Sequence, residues 1–170
     1  KTEVTIASKC GFLGPPDHWL PAGSPERIKQ CCDGSLKRLG VETIALYQLH
    51  GPDPKVPIED TVGALAELQS AGKVRHIGLS NVDNDQLDRA LSVTRIESVQ
   101  NRCNPWVRDD LDNGLLKRCG ERGITYIPWH PVGGEDGHRA CASDVKLRGL
   151  ATHYDVSPYQ LLIAWLLALG

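Results

Sequence analysis

Apolar positions along the chain recur with two periods. Ile28, Cys32, Leu36 and Leu39 fall three or four residues apart and form one stripe of a helix. Ser24-Pro25 offers an N-cap followed by proline at the first helical position, and Gly40 stops the stripe. Ile58, Val62, Leu65 and Leu68 make a second stripe, ended by Gly72. A third helix is predicted over about Asn84 to Leu91. A fourth opens with Asp109, Asp110 and Asp112, favourable at a positive helix N-terminus, and ends by Gly120 or Gly123. A short helix from Asp144 to Tyr154 precedes a last one, which the capping box Ser157-Pro158-Tyr159-Gln160 opens.

Between the helices lie five strand-like runs, beginning near Val4, Ile44, Val74, Glu97 and Ile124. The spacing suits β-α pairs, since parallel strands need a crossover that carries a helix. The runs Val4–Ala7, Ile44–Tyr47 and Val74–Leu79 are largely apolar with limited alternation, as strands covered on both faces are. Strict alternation of β and α elements predicts a parallel sheet with helices outside it. Periodicity alone does not separate an open doubly wound sheet from a barrel. No GxGxxG follows any strand, which weighs against a dinucleotide-binding open sheet. No linker or repeat beyond the β-α unit interrupts the chain, so residues 1–170 read as one domain. Pro131 to Ala140 is the least regular segment.

Composition narrows this picture. A chain of 170 residues buries a real core, yet a closed eight-unit barrel typically takes about 250. Net charge is -2 with no long basic run, so nucleic acid is not an expected partner. The longest apolar stretch, Leu161 to Leu169, is too short to span a bilayer, and Lys1-Thr2-Glu3 does not resemble a targeting segment; no membrane partner is expected. The six cysteines show no CxxC pair and no Cys/His ligand spacing, so no metal site is expected. They read as reduced thiols of a cytoplasmic protein, with Cys32 a small buried hydrophobe.

Chemistry-bearing residues gather where the strand-like runs end. Ser8-Lys9 follows the first, His50 the second and Ser80-Asn81 the third; Gln100-Asn101 closes the fourth and Trp129-His130 the fifth. In a parallel barrel these ends lie on one face, where the loops build an active site. Taken singly, each residue has a plainer reading. Lys9 would be a solvated charge, His50 a cap within its turn, Ser80 and Asn81 ordinary turn residues, Gln100 polar filler and Trp129 core. The recurrence at all five ends carries the argument.

The words around these residues resemble those of the aldo-keto reductases. Ile6-Ala7-Ser8-Lys9 is similar to that family's strand-lysine segment, and Ser35–Gly40 followed by Leu46–His50 to its "S-L-x-R-L-G…D-L-x-x-x-H" stretch. Gly72–Asn81 resembles "G-K-V-R-x-I-G-[LV]-S-N", Gln100-Asn101 resembles "Q-[NS]-x-[YF]", and Trp129–Gly133 sits where members have "Y-S-P-L-G". The resemblance implies a (β/α)₈ TIM-type barrel of which about five β-α units, strands three to seven, are present. It implies NADP(H) as cofactor and a small-molecule aldehyde or ketone as substrate. It assigns Lys9 and His50 as catalytic. Ser80, Asn81 and Gln100 would hydrogen-bond the nicotinamide carboxamide, and Trp129 would stack on the ring. His130 and Val132 would lie near the cofactor's pyrophosphate, where a serine and a leucine are usual.

Hydride transfer to a carbonyl carbon builds charge on the oxygen, which a proton donor and a hydrogen-bonding histidine stabilise. A nearby lysine cation favours a tyrosine donor's anion. Family members supply that tyrosine, and an aspartate paired to the lysine, before the strand corresponding to Val4; their motif for the adenosine 2′-phosphate follows the final helix. Neither is found within the 170 residues. The isolated chain is therefore expected to be inactive, with unpaired strand edges that invite self-association. Two rival readings remain: a non-catalytic cofactor-binding relative such as a channel-associated regulatory subunit, and a different barrel using Lys9 as a nucleophile.

Overall fold

The computed structural model describes residues 4–15 and 18–169; Lys1, Thr2, Glu3, Pro16, Asp17 and Gly170, including the segment read above for targeting, lie outside them. The chain divides into two compact units, Lys1–Gln100 with Gly123–Thr125, and Asn101–Arg122 with Tyr126–Gly170.

The first unit holds β1 (Ala7–Cys10), a small hairpin of β2 (Phe12–Leu13) and β3 (Leu20–Pro21), α1 (Pro25–Leu39), β4 (Ile44–Leu49), α2 (Ile58–Ser70), β5 (Val74–Ser80), α3 (Asn84–Val93) and β6 (Ser98–Gln100). β1, β4, β5 and β6 pair in parallel in that order, and β7 (Thr125–Tyr126) follows β6 in the same sheet. Thr125 donates its N–H to the Glu97 carbonyl at 2.9 Å. Apart from the hairpin, each strand's neighbour is the next strand along the chain. A doubly wound sheet reverses its strand order at a switch point, whereas a barrel does not. The alternative that periodicity left open is thus resolved toward the barrel.

Helix signals in this unit act as read. The Ser24 hydroxyl accepts from Arg27 N at 3.4 Å, Pro25 occupies the first turn of α1, and Gly40 ends it in the left-handed conformation at φ 64°. Asp83 and Gln86 close a capping box on α3. The stripes become core: Ile28, Cys32, Val62, Leu65, Ile77, Leu79 and Leu87 expose no surface. Each such side chain contributes roughly 1.5–3 kcal/mol relative to exposure. Tyr47 reaches the Ser35 hydroxyl of α1 at 3.5 Å, which fixes Tyr47 and its same-side neighbour Leu49 toward the helices. Leu46, Gln48 and His50 therefore point to the opposite face.

The second unit contains α4 (Asp109–Asp112), α5 (Leu115–Glu121), α6 (Gly134–Ser143), α7 (Val145–His153) and α8 (Pro158–Leu167). Ser157 and Gln160 form the predicted capping box. Leu115, Cys119 and Cys141 are fully buried.

Three expectations are corrected. The first strand is Ala7–Cys10, not Val4–Ala7; Val4 is 69% exposed, and pairing starts where β4 offers partners, Ala7 against Leu46. The fourth helix is two, because Gly114 at φ 81° breaks it while the Asn113 side chain accepts from Leu115 N. The segment taken as irregular, Pro131 to Ala140, enters α6 at Gly134. There the small Gly137 allows close approach: a Cβ on it would stand 3.1 Å from the Val132 carbonyl.

Candidate active site

Parallel register sorts the candidates. Lys9 pairs with Gln48, Gln48 with Gly78, Gly78 with Ser98, and Ser80 with Gln100. Paired residues in a ladder share a face, and residues two apart along a strand do too. Lys9, Gln48, His50, Ser80, Ser98 and Gln100 consequently lie on the side away from α1. Lys9, His50, Ser80 and Gln100 stand at the C-terminal ends of four adjacent strands. The structure brings these four together with Asn81.

Lys9 is half-buried and, among the described residues, pairs with no carboxylate. Burial lowers its ammonium pKa below the ordinary lysine value. His50 follows β4 and is anchored by its N–H to the Cys10 carbonyl at 2.8 Å. Burial first, and the Lys9 charge second, push its imidazole below the usual histidine value. The ring is thus neutral near pH 7 and keeps one N–H to donate.

Ser80 is fully buried, and its hydroxyl donates to the Gln100 carbonyl at 2.6 Å. Asn81 adopts the left-handed backbone at φ 57°, which asparagine tolerates. Its N–H donates to the same Gln100 carbonyl at 3.2 Å, and its side-chain amide donates to the His50 carbonyl at 2.8 Å and the Ser80 hydroxyl at 3.2 Å. The ends of β4, β5 and β6 are therefore cross-braced by the candidates themselves. The Gln100 side-chain amide is half-buried and makes no protein hydrogen bond among the described residues.

Two groups near this face escaped the sequence reading. Gln48, 2% exposed, donates to the Ser98 hydroxyl at 3.2 Å across Gly78. A Cβ on Gly78 would collide with the Ser98 hydroxyl and stand 2.9 Å from Gln48 Cγ, so glycine is required there. The lone polar residue inside Ile44–Leu49 was the available signal. The second group is Phe12 and Trp19 of the hairpin, whose centroids lie 5.2 and 4.6 Å from the His50 ring. Two-residue strands have no periodicity to betray them.

The second unit holds the remaining candidates. Trp129 N donates to the Asn101 carbonyl at 2.9 Å, and Cys103 N to the Trp129 carbonyl at 3.3 Å. The Arg102 guanidinium sits 5.6 Å from the Trp129 ring centroid, a cation over an aromatic face that the sequence reading also missed. His130 is exposed, has φ 51° and sets its ring edge-on to Trp129 at 4.6 Å. Its carbonyl accepts from Gly133 N at 2.9 Å and from the amide of the buried Asn104 at 3.0 Å. Its ring lies over Gly134, where a Cβ would strike it. Val132 is half-buried in the same turn. Among the described residues no cluster of His, Cys, Asp and Glu is suited to a metal ion, and no helix is long and apolar enough to cross a membrane.

Comparison with known proteins adds to this geometry. A profile of the aldo/keto reductase family matches residues 1–169. A probable aldo-keto reductase of Glycine max is 35% identical over an alignment covering 100% of this chain and 57% of the relative. The curated relatives are matched over 52 to 58% of their length, so the chain spans little more than half of each. A glycerol dehydrogenase from Gluconobacter oxydans superposes with a TM-score of 0.87 at 22% identity, covering 99% of this chain and 61% of that one. An aldo-keto reductase from Klebsiella pneumoniae, solved with NADPH, superposes at 0.78 with 24% identity, covering 97% and 56%. The five-stranded parallel sheet with its helices is thus part of a (β/α)₈ barrel.

Proposed function

This chain belongs to the aldo/keto reductase family, and from that premise we propose that the whole protein reduces an aldehyde or ketone with NADP(H). The observation that carries the reading is the shared face of Lys9, His50, Ser80 and Gln100, with the Lys9 charge felt at His50. The NADPH complex of the Klebsiella relative supports the choice of cofactor.

The residues present fit a nicotinamide. A carboxamide needs both a donor and an acceptor, and the unspent amide of Gln100 offers both at the sheet face. Asn81 adds a second amide, and Ser80 holds Asn81 and Gln100 in fixed relation through the Gln100 carbonyl. In the second unit, Trp129 is assigned to the nicotinamide ring, and His130 and Val132 to the pyrophosphate region. When bound, the cofactor supplies a hydride to the carbonyl carbon. His50, kept neutral, donates its N–H to the carbonyl oxygen, and the Lys9 cation stabilises the negative charge developing there. The proton that completes the alcohol is assigned to the tyrosine acid that family members carry ahead of the segment matching Val4, whose pKa a lysine cation lowers.

The test uses the full-length protein. NADPH is titrated by tryptophan fluorescence, and its oxidation is followed at 340 nm with an added aldehyde. Binding with turnover is the expected result. Binding without turnover of any carbonyl would leave a cofactor-binding relative, and no binding of either nicotinamide cofactor to folded protein would overturn the proposal.

A further inference from the structure

We propose that Arg102, acting through the Trp129 ring, is a specificity-determining residue that favours the reduced, neutral nicotinamide over its oxidised, cationic form. This rests on the functional reading above and goes on to the redox state that the site holds more tightly.

The contact is built by the backbone. Just beyond Gln100, Arg102 forms a parallel bridge with Trp129. The two hydrogen bonds of that bridge flank Arg102: Trp129 N donates to the Asn101 carbonyl at 2.9 Å, and Cys103 N to the Trp129 carbonyl at 3.3 Å. Bridged residues set their side chains on the same side, so register makes the guanidinium and the indole neighbours. The next residues hold the bridge in place. Cys103 and Asn104 expose no surface, and the Asn104 amide donates to the His130 carbonyl at 3.0 Å. Its side-chain oxygen accepts from Trp106 N and Val107 N, both at 3.0 Å. The guanidinium carbon lies 5.6 Å from the ring centroid, within the range at which an aromatic face attracts a cation.

A guanidinium keeps its charge at any working pH, and among the described residues Arg102 pairs with no carboxylate. The reduction assigned above changes the charge of the ring that Trp129 would carry. As hydride passes to the carbonyl carbon and a proton to its oxygen, a neutral dihydropyridine becomes a pyridinium cation. A bare indole would attract the pyridinium more than the dihydropyridine and so would retain the product. With the guanidinium on the ring, that attraction is already spent, and like charges repel. The sign is the same whichever indole face takes the nicotinamide, because a charge on either side of one ring stands close to the other. Arg102 thereby eases the departure of the oxidised cofactor, a step that limits turnover in many enzymes.

The experiment measures the dissociation constants of NADPH and NADP+ by isothermal titration calorimetry for the full-length wild type, R102Q and R102K. It is run at pH 8, so that imidazole protonation does not enter. Both forms carry the same phosphates, so contacts to those cancel in the ratio of the two constants. R102Q should lower Kd for NADP+ relative to Kd for NADPH by about threefold, the size of one exposed cation–aromatic contact. R102K, which keeps the charge, should recover most of the wild-type ratio. A ratio that R102Q leaves unchanged or raises would overturn the proposal, because a residue that merely touches phosphate or supports the turn affects both forms alike. So would an R102K that shifts the ratio as far as R102Q does. The ratio is an equilibrium quantity, read equally well in a protein that binds the cofactor and reduces no carbonyl. Binding of neither form overturns the functional reading and this inference together, whereas binding with an unchanged ratio overturns this inference alone.

Discussion

The two units hold their candidate residues by different means. In the first, Lys9, His50, Ser80 and Gln100 ride on a parallel ladder, so one register sets their mutual spacing. In the second, Trp129, His130 and Val132 hang on a turn built from left-handed residues, His130 at φ 51° and Gly133 at φ 91°. A ladder cannot move one side chain without disturbing its neighbours, whereas a turn can exchange one residue locally. The unusual His130 in place of serine is the kind of change a turn absorbs, since its ring is exposed and its carbonyl performs the bracing.

The largest expected effect lies on the ladder. Lys9→Met in the full-length protein should slow single-turnover hydride transfer by about 10²–10⁴-fold, with a much smaller change in the NADPH dissociation constant. Near-normal turnover would strike Lys9 from the chemistry. A smaller effect contrasts two glycines. Gly78→Val drives a branched side chain into Ser98 and Gln48 and should cost about 1–3 kcal/mol or more. Gly120→Ala, on α5 of the second unit with open space around it, should instead gain about 0.4–1 kcal/mol. Denaturant midpoints measure both, and equal losses would erase the distinction drawn between ladder and surface.

Legibility in the sequence followed the same divide. β4 and β5 were readable because their runs are largely apolar with limited alternation, and α1 and α8 because their caps are side chains that name themselves. β1 was misplaced because a strand carrying Ser8 and Lys9 does not look like one; its limits come from its partner, not from its own residues. The Asn113-Gly114 break was written in the sequence as a turn signal but was outweighed by the acidic residues before it. α6 was illegible for a better reason. Gly134 and Gly137 disfavour helix locally, and close contact of Gly134 with the His130 ring and of Gly137 with Val132 and Trp106 selects them nonetheless. Among the candidate residues, strand-end position pointed to Lys9 and His50, while Gln48, Ser98, Phe12 and Trp19 needed the register or the hairpin.

The smallest effect concerns pH. Because His50 titrates below its unfolded value of about 6.5, the unfolded chain binds more protons in the window between the two values. The His50 contribution to stability is therefore fully present above pH ~6.5 and is lost as pH falls through the lowered folded value. His50→Gln should flatten that part of the stability profile. An NMR titration of the His50 ring with a midpoint at or above that of free imidazole side chains would contradict the desolvated, Lys9-facing environment.

The bridge that Gln48 makes to Ser98 over the bare backbone of Gly78 also acts while the chain is folding. Parallel strands meet late, after long loops have closed, and a slip by one residue turns every side chain to the other face. Here a slip of β5 would present Ile77 or Leu79 to Gln48 in place of the gap, leaving an amide buried without a partner beneath a bulky side chain. The missing methyl group at position 78 thus works as a registration mark. Only one alignment of β4, β5 and β6 lets the two polar groups find each other, and that alignment also sets His50, Ser80 and Gln100 level with one another.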